Sequence, residues 1–130
     1  MGVTSWVKSL AMFKVDSKYE DLDEIDYYLE QRDAETFDSQ WMKAHNNFTA
    51  IIESMNNEAV KRQLEELQSL AQEQFYKTII KQTGHSDLAA YLSDDIYLIV
   101  GYLVIGHSND FVLAMKMSFE HGDFPKVGGI

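Results

Sequence analysis

The chain has no cysteine and only one proline in 130 residues. The first absence excludes disulfide staples and thiolate metal sites and fits a reducing compartment. The second leaves no proline-rich linker, and with no internal repeat or low-complexity tract the chain reads as a single domain spanning 1–130, long enough to bury a core unaided. The opening MGVTSWVKSLAMF lacks the basic start and continuous apolar run of a signal peptide, because Lys8 and Ser9 interrupt it. Trp6 stands where a myristoylation motif has Ser or Thr. A soluble cytoplasmic protein is expected.

Catalytic signatures are equally scarce. There is no G-x-S-x-G, no G-x-x-x-x-G-K, no H-E-x-x-H and no Glu-x-x-His of a di-iron bundle. His45, His85, His107 and His121 are far apart in sequence, and His45 lies beside an apolar helical stripe, where a hydrogen-bonded core role is the expectation.

Positive charge is the third shortage: 11 Lys and Arg face 21 Asp and Glu, a formal net charge of -10. Eight of those ten net charges fall in residues 16–38, where Asp16, Glu20, Asp21, Asp23, Glu24, Asp26, Glu30, Asp33, Glu35 and Asp38 face only Lys18 and Arg32. Such a field repels nucleic-acid phosphates and anionic lipid, so neither is expected as a partner. It attracts basic protein surfaces and cations. Simple solvation is the competing reading of a block of like charge.

What the chain does have is one long run without a charge or a strong polar group, Ile96–Ile105, inside the stretch Ser93–Gly106. A run like that cannot face water on any side. It is about half the length of a membrane span, which takes about 20 apolar residues, and its neighbours supply no partner strands, so a buried helix at the centre of the core is predicted. Around it, apolar residues recur at helical spacing. Thr4 can cap a first helix carrying Val3, Trp6, Val7, Leu10 and Phe13. Ser17-Lys-Tyr-Glu20 reads as a capping box for a helix to about Gln31, with Tyr19, Leu22, Ile25, Tyr28 and Leu29 inward. Asp33 is the expected cap of a helix bearing Phe37, Trp41, Ala44, Phe48, Ile52 and Met55. Asn56 and Asn57 cap a long helix to about Gln82, with Ala59, Leu64, Leu67, Leu70, Ala71, Phe75 and Ile79 inward. Gly84 and Gly106 suit left-handed helix ends, each followed by Ser, Asn or Asp to cap the next helix. The last helix, with Phe111, Val112, Met115, Met117 and Phe119, stops near Gly122 and Pro125. The fold class is therefore all-α: an antiparallel bundle of about four main helices over 33–122, an N-terminal helical extension over 1–31 and a loose tail over 123–130.

Carboxylates on helices are the remaining candidates for chemistry. Glu65 and Glu66 on the long helix and Asp94 and Asp95 on the central one could face each other and hold Mg²⁺, a hard cation that prefers oxygen ligands. The bland alternative makes the first pair solvent charges and the second a helix start. Residues 58–122 resemble the all-α, MazG-like nucleoside triphosphate pyrophosphohydrolases, with VKRQLEELQSLAQEQ similar to the E-E-x-x-E helix and AYLSDDIYLIVGYLVIG to the E-x-x-D helix. On that resemblance Glu65, Glu66 and Asp94 match ligands, while Ser69 and Tyr91 replace two of the five. It implies a Mg²⁺-dependent pyrophosphate-releasing enzyme, or, with two ligands gone, an inactive relative.

The leading functional reading is a different class: a small acidic helical protein that neutralises a partner with a basic surface, of the immunity protein, antitoxin or inhibitor type, with no cofactor. Asp21, Asp23, Glu24, Asp26, Tyr27 and Glu30 are the candidate partner-binding residues, steering by charge and anchoring through aromatics such as Tyr27, Tyr28 and Trp41. A homodimeric module whose acidity means only solubility is the third reading.

Overall fold

A computed structural model describes residues 2–126. The elements are α1 Val3–Ser9, α2 Leu22–Arg32, α3 Glu35–Ser54, α4 Glu58–Thr83, α5 Ser86–Ile105 and α6 Asp110–Glu120, with short 3₁₀ turns at Leu10–Met12 and Ser17–Glu20 and no strand among the described residues. The protein is an all-α bundle.

The central run is helical and is the centre of the core. α5 is one uninterrupted helix, and its residues 88, 89, 92, 93, 95, 96 and 98–102 are all buried. It packs along the length of α4 and also touches α1, α3 and α6. By length and composition α5 could cross a membrane. Its enclosure by four other helices accounts for the same composition, since a helix apolar on all sides is one buried on all sides. Gly101 marks a close approach: a Cβ there would lie 2.7 Å from the Phe48 ring and 2.6 Å from Nε2 of Gln68. That same Nε2 donates to the Tyr97 carbonyl at 2.9 Å, which satisfies a glutamine only 2 % exposed.

Several helix ends follow local chemistry. Asn57 and Asn109 accept from the backbone N–H of Val60 and Val112, and Gly84 and Gly106 sit at φ 66° and 70° as left-handed terminators. His85 caps α5 instead of the Ser or Asp that follows it, its Nδ1 accepting from Leu88 N–H at 3.2 Å. Other ends differ from expectation. α1 starts at Val3 behind Gly2, without a side-chain cap from Thr4. The expected capping box at Ser17–Glu20 is a separate 3₁₀ turn, because Asp16 and Asp21 each accept an amide two residues ahead and so divide the segment into two starts. Asp33 does not cap α3, whose N-cap Ala34 makes no side-chain bond; the Asp33 carboxylate accepts instead from the Tyr91 hydroxyl at 3.1 Å. On α4, Ala59 is exposed and Leu70 is 48 % exposed, so the inward stripe is narrower than periodicity implied.

The N-terminal segment is built into the core rather than laid upon it. Val7, Leu10 and Phe13 are buried, and Gln82 on α4 clasps the extended chain by donating to the Phe13 carbonyl and accepting from Val15 N–H, both at 2.8 Å. Of the tail 123–130, residues 127–130 lie outside the described residues, whereas Phe124 and Pro125 are buried. Phe124 stacks on Tyr19 at 4.4 Å and lies 6.2 Å from Phe13, so its ring bridges the two ends of the chain.

Candidate docking face

α2 carries the acidic face, and its local sequence explains both the helix and its orientation. Asp21 caps it, Asp23 and Glu24 complement the positive end of the helix dipole, and Arg32 sits in the last turn where a cation is favoured. Ile25, Tyr28 and Arg32, spaced by three and four, are buried. The remaining sides therefore face outward. Asp21, Asp23, Glu24, Asp26 and Glu30 are all exposed, and Tyr27 presents 61 % of its surface. Five of the six candidate partner-binding residues thus share one short helix, and the sixth, Asp21, caps it.

The other two proposed aromatic anchors are engaged internally. Tyr28 is buried and its hydroxyl donates to the Pro125 carbonyl at 2.9 Å, with burial raising its phenol above the usual range. Trp41 is half-buried and donates through Nε1 to Asp95 at 2.9 Å, with its ring stacked on His45 at 5.4 Å. His45 is therefore a packing partner of Trp41 on the half-buried side of α3.

Beneath the acidic face lies a buried ion pair that sequence reasoning missed. Arg32 forks onto Asp95, Nη1 to Oδ2 at 2.6 Å and Nη2 to Oδ1 at 2.7 Å, with the two residues 5 % and 0 % exposed. Burial alone would disfavour the charged guanidinium, but the Asp95 charge and hydrogen bonds outweigh it and hold Arg32 protonated. The guanidinium carbon also lies 4.7 Å from the Phe37 ring centre, 5.3 Å from Tyr91 and 5.8 Å from Tyr28. One consequence is electrostatic: Arg32, one of two cations in the 16–38 block, is neutralised internally. All ten carboxylates of that block are exposed, and Lys18 is the only exposed cation among them.

The alternative Mg²⁺ set does not assemble. Asp95 is sealed against Arg32, and Asp94, one residue earlier and about 100° round the helix, faces outward to accept from Gln72 at 2.7 Å. Glu65 and Glu66 are exposed on α4, and Glu65 lines a groove with Phe48 and Arg62 that Asp94 does not reach. Among the described residues no group of three or more His, Asp or Glu could hold a metal ion. Asp94 and Asp95 are also no helix start, since α5 begins at Ser86.

Compared with known proteins, the chain matches no curated protein and no solved structure. One family model does match it. That finding overturns the resemblance of residues 58–122 to the MazG-like pyrophosphohydrolases: the matching model is that of Immunity protein PIM1, and it covers residues 3–126.

Proposed function

The chain belongs to the PIM1 immunity protein family, and from that premise we propose that it protects the cytoplasm of its own cell by binding a toxin with a basic surface through the acidic face of α2 and the start of α3. The observation that supports this is the uncompensated charge of the face: ten exposed carboxylates over residues 16–38, with Lys18 as their one exposed cation because Arg32 is neutralised beneath. A field of that sign raises the encounter rate with a cationic surface and disfavours other partners. Tyr27, exposed among Asp23, Glu24 and Glu30 at helical spacing, is the aromatic anchor. Neutralisation then works by occlusion: the toxin surface that would meet its target is covered, and no chemistry is required of this chain.

The test is to recover the partner on the tagged chain from the source cell and to ask whether the pair survives low salt better than high salt. Expression of the recovered partner should arrest growth, and co-expression of this chain should relieve the arrest. A partner of acidic surface, or cross-links that map away from residues 16–38, would refute the assignment of the face.

A further inference from the structure

Where the end of α2, the start of α3 and the middle of α5 meet, the surface sinks into a cavity of about 160 Å³. Its walls are Phe37, Trp41, Met42 and Tyr91, and its acids are Asp33, Asp38 and Asp94. Two of the few large apolar side chains left exposed on the molecule, Met42 at 43 % and Tyr91 at 36 %, flank it. Arg32 reaches its floor, but that charge is matched by Asp95 below, so the net field in the cavity comes from the three acids. At about five water volumes, the space suits one long side chain and is too small for a helix.

We propose that this cavity is a socket for a single arginine side chain of the toxin, a deepening that rests on the reading of the acidic face given above. Guanidinium is the cation the walls fit: it is planar, it stacks on aromatic rings, and it forks onto carboxylates, whereas an ammonium is a strongly hydrated point charge. The protein already solves the same problem once, at the floor of the cavity, where Arg32 lies against Phe37 and Tyr91 and forks onto Asp95. Asp94 adds support. Partial burial, with Asp95 beside it, raises its carboxyl above the usual range although Gln72, Arg32 and His45 all act to lower it, so a further cation seated against it would favour its charged form. Aromatic and Met side chains ringed by charge also have the composition of an interface hot spot. Charge steering by α2 and seating of one arginine here divide recognition into an approach and a lock.

The experiment uses two probes, hexa-arginine and hexa-lysine peptides, titrated into the isotope-labelled full chain and followed by NMR. Hexa-arginine should shift the Trp41 indole and Met42 methyl signals, with an apparent affinity at those signals about fivefold tighter than that of hexa-lysine. In the double variant Asp38→Asn, Met42→Ala, both exposed positions that leave the core intact, the response at Trp41 should weaken about fivefold while the shifts of residues 21–30 persist. Equal responses of Trp41 to both peptides, or shifts confined to residues 21–30, would overturn the socket and leave the acidic face standing. Absence of any shift with either peptide would overturn both.

Discussion

Arg32 and Asp95, 63 positions apart, form a two-pronged ion pair with both side chains removed from solvent. The pair joins the end of α2 to the middle of α5, and Trp41 adds a bond from α3, so three helices converge on one carboxylate. α2 contributes little apolar surface of its own to the core beyond Ile25, Tyr28 and part of Leu29, with Leu22 and Tyr27 left exposed. Its position therefore depends on polar pins, and the outward angle of the acidic face depends on them too.

Breaking the pair from either side should be costly. Asp95→Asn or Arg32→Met is expected to lower stability by about 3–5 kcal/mol in a urea denaturation curve, because the surviving partner is left buried and unmatched. The double variant Arg32→Met, Asp95→Leu should recover much of that loss, since an apolar pair of similar volume has no charge to desolvate. A single variant within about 1 kcal/mol of the native chain would mean that water reaches the pair.

The central helix should be sensitive to both loss and gain of volume. Leu98 is 1 % exposed, so Leu98→Ala should cost about 2–5 kcal/mol. Gly101→Ala adds one methyl group where Phe48 and Gln68 already stand within 2.7 Å of its position, and about 1–3 kcal/mol is expected as those side chains are displaced. Thermal or chemical denaturation of the two variants reads both effects. An unchanged midpoint for Gly101→Ala would show that α3 can retreat freely from α5.

Charge reversal on α2 should act on association and spare folding. With Asp21, Asp23, Glu24 and Asp26 all changed to Lys, the association rate to the recovered toxin should fall by about tenfold or more at low salt. Added salt should mimic the change in the native chain, because the Debye length shrinks from about 10 Å at 0.1 M to about 3 Å at 1 M. Replacing Asp21 also removes the α2 cap, so the variant Asp23→Lys, Glu24→Lys, Asp26→Lys separates steering from capping. A rate indifferent to salt and to both variants would leave the face as a solubilising surface.

Glu120, at the end of α6, supplies a pH signal. It accepts from Lys116 at 2.7 Å and from the Trp6 indole at 3.0 Å, and the Lys116 hydrogen bond, more than the opposing burial, holds its carboxyl below the usual range. A depressed carboxyl contributes stability above its unfolded pKa and loses it as pH falls through the folded value. The Trp6 indole proton, followed through an acid titration, should report that lower midpoint. Lys116→Ala should move the midpoint upward; a midpoint that stays put would assign the shift to Trp6 instead.

What the sequence determined by itself was local. Helical spacing located the helices, Asn57 and Asn109 marked two starts, Gly84 and Gly106 marked two ends, and the length of the uncharged run placed α5 in the core. The crowding of acids into residues 16–38 was likewise legible, and the immunity-type reading agrees with the family match. These features depend on neighbours within a turn or two, which periodicity and capping chemistry report directly. The tertiary structure alone decided which charges stay free. Nothing in the sequence around Arg32 distinguishes it from Lys18, or Asp95 from Asp94, because the choice is made by residues 63 positions away and by about 100° of rotation about the α5 axis. One side of that helix meets α2 and α3 and can bury a carboxylate only with a cation to match it; the residue before it faces outward and accepts from Gln72 instead.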